Sequence, residues 1–220
     1  MSAGEPRADE AWRLFVAIPV PGDVRAALEA ALWRVRDEVR GGRWLGPETW
    51  HLTLRFLGDT PVGAIPRIED AVRRAAATAG PFEASLGRAG AFERRFGRVA
   101  WIGLERGADQ VAGLATALTA TLAPQEVSHE PFRPHLTIAR EAPAALVPAL
   151  DAALAETRAG RLRVGPVGLG AGPALPRRSG ADALSWTVDR LVLYRSVLGR
   201  GGAQHTALVE AHLGPATPHG

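Results

Sequence analysis

Apolar residues recur along this chain with two alternating periods, and the alternation outlines the fold. Residues 13–18, Arg-Leu-Phe-Val-Ala-Ile, form a short apolar run closed by Pro19 and Pro21, as a strand would be. Val24, Leu28, Ala31, Leu32, Val35 and Val39 follow at helical spacing until Gly41-Gly42 stops them. Period two takes over from about 49 to 57 and ends at Gly58-Asp59. A second helix carries Ile65, Ile68, Val72, Ala75, Ala76 and Ala79 up to Gly80-Pro81, and two β segments are predicted near 82–87 and 98–104. The same order then recurs. A helix holds Val111, Leu114, Ala115, Leu118 and Leu122; a strand runs from about 132 to 140; another helix holds Leu146, Leu150, Ala153 and Leu154. Pro148 falls in that helix's first turn, where its missing N–H is harmless. Two further β segments are predicted near 161–167 and 185–196. A hairpin from 191–198 through Gly199-Arg200-Gly201-Gly202 to 204–210 closes the pattern.

Helix, strand, helix, strand, strand thus appears twice, over 22–104 and 106–196. The expected fold is α+β, with two pseudo-symmetric lobes facing across a central cleft. Each lobe is an antiparallel sheet with outer helices. Residues 1–212 are expected to form a single bilobal domain, 170–180 a Gly/Pro/Arg-rich loop near the cleft, and 213–220 a flexible tail.

The two strands that begin the strand sets carry one string. His51-Leu52-Thr53-Leu54 and His135-Leu136-Thr137-Ile138 both read His-apolar-Thr-apolar. Six His and twelve Thr in 220 residues give roughly 0.3 His-x-Thr matches by chance, and roughly 0.07 once both other positions must be apolar. A single copy would mean little, since a lone strand histidine is more often structural, but the pair is a signal. Strand alternation sends His and Thr to one face and the apolar residues to the other. Two such strands together offer two imidazoles and two hydroxyls to one small anion, the parts needed for acid–base work on a phosphodiester.

Composition narrows the choices. No stretch is apolar for long enough to span a bilayer, and residues 1–10 are polar where a secretion signal needs an apolar run. A cytoplasmic monomer without membrane contact is the default expectation. The absence of cysteine removes disulfides, thiolate nucleophiles and iron–sulfur ligation. All 26 basic residues are Arg, so a net charge of only +3 yields a pI near 10.7. That balance suits capture of one or two phosphates by bidentate Arg rather than coating of a duplex. Without lysine there is neither a phosphate-binding P-loop nor a lysyl-adenylate ligase.

These residues resemble the 2H phosphoesterase superfamily, in its RNA 2′,3′-cyclic phosphodiesterase branch, also called LigT-like or 2′-5′ RNA ligase. The resemblance rests on residues 13–18, on Trp50-His51-Leu52-Thr53-Leu54-Arg55-Phe56-Leu57-Gly58 and on Pro131-Phe132-Arg133-Pro134-His135-Leu136-Thr137-Ile138-Ala139-Arg140. Gly90-Ala91-Phe92, Arg98-Val99-Ala100-Trp101 and Leu193-Tyr194-Arg195-Ser196 fit as well, so that it spans about residues 12–210. Glu93 stands where the family pattern has Pro, and His205 where it has an aromatic residue. The resemblance implies metal-independent hydrolysis of RNA 2′,3′-cyclic phosphate ends to 2′-phosphomonoesters, without a cofactor. His51 would protonate the departing O3′, His135 would activate water, and Thr53 and Thr137 would bind the non-bridging oxygens. The reverse reaction would be a 2′-5′ ligation. The residues themselves leave open which histidine is the acid. They also leave open a non-catalytic RNA-end or nucleotide-binding module, and an enzyme acting on another small cyclic nucleotide or a 2′-5′ oligonucleotide.

Arg140 matches a family position associated with the substrate phosphate, although five residues from His135 is the wrong parity for the His/Thr face. Arg133 and Arg55 share the parity of their histidines and are candidates for RNA contact. Phe132 is a candidate for stacking on a base, while Phe56 and Trp50 fall on the apolar side with Leu52 and Leu54 and are expected in the core. Glu126, His129, Glu130 and His135 form a loose cluster without the register of a helical zinc site, so no metal is expected.

Overall fold

The computed structural model describes residues 10–95, 97–122, 132–161, 180–199 and 202–214. The predicted strand near 161–167, most of the 170–180 loop, the cluster at Glu126, His129 and Glu130, and residues 215–220 therefore lie outside the described residues.

Among the described residues nine strands and four helices follow one another in chain order. They are β1 (Ala11–Pro19), α1 (Gly22–Glu38), β2 (Arg43–Trp44), β3 (His51–Pro61), α2 (Ile65–Ala76), β4 (Phe82–Arg94) and β5 (Gly97–Arg106). There follow α3 (Ala108–Leu122), β6 (His135–Arg140), α4 (Leu146–Arg158), β7 (Ser185–Val188), β8 (Arg190–Gly199) and β9 (Gly202–His212). The expected α+β class is observed, in one curled antiparallel sheet of order β7-β4-β5-β6-β3-β1-β8-β9, with the two-residue β2 on β6. The predicted segment 185–196 is two strands in different parts of the sheet, parted at Asp189.

The lobes are not the two repeats in sequence. β1, β8 and β9 gather around the first motif strand β3, while β5, β4 and β7 gather around the second, β6. Strands β4 and β5, which follow the first motif in sequence, thus serve the second lobe, and β8 and β9 serve the first. The helices exchange likewise: α2 and α3 pack together behind β3, β8 and β9, and α4 lies behind β4 and β5 with α1 against it. The repeat is real, but each lobe is built from both halves of the chain.

The lobes meet where β3 and β6 pair at a single position, Leu52 opposite Leu136. Both leucines are fully buried, each burial contributing roughly 2 kcal/mol. The outer helices bury the faces the periodicity marked: Val24, Leu28, Ala31, Leu32 and Val35 in α1, and Leu146, Leu150 and Leu154 in α4. The predicted C-terminal hairpin is present as β8–β9, paired from Arg190–His212 to Gly199–Gly202 with one register shift at Leu208. Leu213 and Gly214, expected in the tail, are held in place. Leu213 is buried and its N–H donates to Asp189 O (2.8 Å), and Gly214 N–H donates to Ala76 O (3.1 Å). Apolar burial and two backbone bonds hold these residues against the body of the protein.

Candidate active site

The alternation expected of the two motif strands is observed. Leu52, Leu54, Leu136 and Ile138 are buried, and His51, Thr53, His135 and Thr137 sit half-buried on the opposite, cleft-facing side. Extending the Leu52–Leu136 register by one residue each way sets His51 across from Thr137 and Thr53 across from His135. The four residues thus lie on one face of adjoining strands, each histidine across from the other strand's threonine in the extended register.

Each imidazole is fixed in the same manner. His135 Nδ1 lies 2.7 Å from the carbonyl oxygen of Arg133, and the His51 ring bonds the backbone of Thr49, in each case two residues upstream. An imidazole that donates Nδ1–H to a carbonyl carries its lone pair on Nε2, so His135 presents Nε2 to the cleft as a proton acceptor. Arg133 therefore contributes its carbonyl to the site, while its side chain is exposed.

Aromatic walls hold the rings in place. His51 stacks on Phe15 (centroids 4.7 Å apart, planes at 30°), Phe15 stacks on Tyr194 (5.2 Å, 19°), and His205 meets His51 edge-on (5.3 Å, 85°). His135 meets Phe92 edge-on (5.0 Å, 80°) beside Trp101 (6.2 Å). Gly90 opposes Trp101 across β4–β5, and any side chain there would strike the indole, so glycine is what lets the ring lie flat. Burial in these walls lowers the pKa of both histidines. His51 falls from 6.5 to about 4 through desolvation first and the positive charge of His205 second, with the Thr49 bond opposing. His135 is lowered by desolvation and by Arg94, whose guanidinium lies over Phe92 (5.2 Å), and is raised by its bond to Arg133.

Two bulges correct the sequence reading. In β3 the register against β1 skips Leu54, and in β6 the register against β5 skips Ile138; each is the third residue after its histidine. Past the bulge the faces exchange. Arg55, a candidate for RNA contact, turns toward the helices instead of the His51 face, and its Nη1 donates to Thr119 Oγ1 in α3 (3.3 Å). Phe56, expected in the core, pairs with Phe15 on the cleft side and is 68% exposed. The same inversion in β6 buries Ala139 and sends Arg140, exposed, to the cleft side, which resolves its wrong parity. Phe132 is 37% exposed at the mouth of β6. Trp50 is buried as expected, yet it also lines a cavity beside His51.

Sequence reasoning singled out His205 only as a departure from a pattern, and missed Phe56 and Arg94 as cleft residues. The bulges carry no glycine or other marker, so nothing local announced them. Among the described residues no three His, Asp or Glu side chains converge as metal ligands, and no helix is long and apolar enough to cross a membrane.

A curled two-lobed sheet with paired His-x-Thr strands at its centre defines a class of phosphoester-processing folds, and comparison with known proteins agrees. Residues 24–200 match the model of the 2′-5′ RNA ligase superfamily. The chain belongs to that superfamily. It is 36% identical over 147 residues to an RNA 2′,3′-cyclic phosphodiesterase of Thermus thermophilus, covering 62% of this chain and 72% of the relative. It is 30% identical over 129 residues to one of Geobacillus stearothermophilus, covering 58% of this chain and 41% of that longer relative. A solved Thermus thermophilus structure superposes over 92% of this chain and 98% of its own with a TM-score of 0.65 at 29% identity. E. coli LigT complexed with 3′-AMP superposes over 93% of this chain and 98% of its own with a TM-score of 0.60 at 25% identity.

Proposed function

We propose that this protein is a metal-independent RNA 2′,3′-cyclic phosphodiesterase that opens cyclic phosphate ends to 2′-phosphomonoesters with His51 and His135 as its acid–base pair. The observation that carries this reading is the pair of imidazoles, each fixed by a carbonyl two residues upstream and each beside a threonine of the facing strand. Simple anion binding needs cations and hydroxyls; it does not need two oriented imidazoles. The family membership, the phosphodiesterase names of the relatives and the 3′-AMP held by E. coli LigT support the same chemistry.

In the forward reaction His135 Nε2 takes a proton from water, and the water oxygen bonds to phosphorus opposite O3′. The P–O3′ bond breaks, its electron pair stays on O3′, and His51 gives O3′ a proton. Thr53 and Thr137 donate to the non-bridging oxygens as charge accumulates there. After one turnover His51 has lost a proton and His135 holds one, so exchange with solvent resets the pair. The cavity adjoins His51 and not His135, which favours a nucleoside on the His51 side and water on the other. Reversal, with a 5′-hydroxyl in place of water, would form a 2′-5′ linkage; bulk water favours hydrolysis.

Arg140 and Phe132 extend the site on the β6 side, as a phosphate contact and a base platform. His51→Ala and His135→Ala should each lower kcat by roughly 10²–10⁴-fold on a cyclic-phosphate oligonucleotide while binding persists. Near-normal turnover by either variant would refute the mechanism. Binding by the wild type without any turnover would instead identify an RNA-end binding module.

A further inference from the structure

A cavity of about 340 Å³ opens beside His51. Trp50, Trp186, Tyr194, His205 and Arg25 form its walls, whereas His135, Thr53 and Thr137 take no part in it. Its volume lies in the range of small-molecule sites. The indole N–H groups of Trp50 and Trp186, and Nδ1 of His205, are buried without a hydrogen-bond partner. Aromatic faces together with unused hydrogen-bonding groups suit a planar heterocycle with polar edges better than a purely apolar ligand.

The cations at this cavity differ in how they are held. Arg190 is neutralised by Asp189 (2.9 Å) and by Glu210 (3.2 Å). Arg25, half-buried in the first turn of α1, has no side-chain hydrogen bond or ion pair among the described residues. Its guanidinium folds over the start of the helix, 3.9 Å from where a Cβ on Gly22 would lie, and its charge acts on the Tyr194 hydroxyl. Glu48, the remaining carboxylate besides Asp189 on the cavity wall, turns back onto Gly46. A cation at a helix N-terminus opposes the helix dipole, so helix stability gives no reason for Arg25 to be there.

We propose that this cavity holds the terminal nucleoside of the substrate and that Arg25 binds the phosphate on that nucleoside's 5′ side. The site would then favour an RNA or 5′-phosphorylated end over a lone nucleoside cyclic phosphate. The proposal rests on the preceding reading that the reactive phosphate lies between His51 and His135. A nucleoside whose 2′,3′ edge meets His51 extends its 5′ carbon away from the tetrad, along the wall that Tyr194 and Arg25 share. The guanidinium fork can take a phosphate there through two parallel hydrogen bonds.

Calorimetric titration with two probes tests this without requiring turnover: adenosine 2′-monophosphate and adenosine 2′,5′-bisphosphate. The wild type should bind the bisphosphate about tenfold more tightly, with a ratio that falls as salt is raised. Arg25→Ala should bring the ratio close to one, and Arg25→Lys should leave it intermediate, since the charge survives and the fork does not. Thermal melts of both variants establish that they remain folded. A wild-type ratio near one, a ratio unchanged in Arg25→Ala, or no binding of either probe overturns the assignment of Arg25. None of these results touches the hydrolytic reading, which the turnover of His51→Ala and His135→Ala decides separately.

Discussion

The two histidines occupy matching positions on matching strands, yet their surroundings differ. His51 lies in a cluster with Phe15, Tyr194 and a third imidazole, His205, next to an open cavity. His135 lies edge-on to Phe92, near Trp101 and Arg94, and does not line that cavity. A duplicated strand supplies two equivalent imidazoles; the neighbours supplied by the other strands make them inequivalent. The proposed in-line displacement needs this, because the leaving group and the water approach phosphorus from opposite sides and only one of them is attached to a nucleoside.

The sharpest way to break the comparison is to remove the need for an acid. A diester with a nitrophenolate leaving group departs without protonation. His51→Ala should therefore recover on it, relative to the wild type, by roughly 10²-fold or more over its loss on cyclic-phosphate RNA. His135→Ala should stay impaired on both substrates, since attack by water still requires a base. The measurement is the kcat/KM ratio of each variant on the two substrates. Recovery by His135→Ala and not by His51→Ala would exchange the two roles.

The comparison also has a mechanical side. The lobes that carry the two histidines join through Leu52 and Leu136, both without solvent exposure. Leu136→Ala should cost about 2–5 kcal/mol of stability in urea unfolding, and so should Leu150→Ala, which empties an equally buried position in α4. Leu136 sits between His135 and Thr137 at the joint, so its variant should lose more activity than Leu150→Ala at the same loss of stability. Equal activity in the two variants would mean that the joint does not set the geometry of the tetrad.

How far the sequence reveals this arrangement depends on whether the controlling contact is local. Strand parity is local, and it placed all four tetrad residues on one face. Helix faces are local too, as Leu28, Leu32, Leu150 and Leu154 illustrate. Bulges at Leu54 and Ile138 depend on the neighbouring strands, so the faces of Arg55, Phe56 and Arg140 were not legible. Strand exchange between the halves is a long-range pairing, which a repeated order of elements does not determine. For the same reason His205 and Arg25, far from His51 in sequence, come to line its cavity only in the folded chain.

The smallest expected effect concerns the third imidazole and reads out as a pH profile. On the proposed mechanism the active form of the free protein carries one neutral and one protonated histidine, so kcat/KM should be bell-shaped between two macroscopic pKa values. Both histidines are lowered from 6.5, His51 to about 4, so the bell should lie on the acid side of 6.5. In kcat the bell should move upward, because a bound phosphate anion favours imidazolium. The charge of His205 lowers the His51 pKa, and burial lowers the pKa of His205 itself. Replacing His205 by Gln removes that charge and lets the His51 pKa rise. The acid limb of kcat/KM, where the neutral imidazole is lost, should then move to higher pH by about half a unit and narrow the bell. A limb that stays in place or moves to lower pH would show that His205 acts on His51 through packing rather than through its charge.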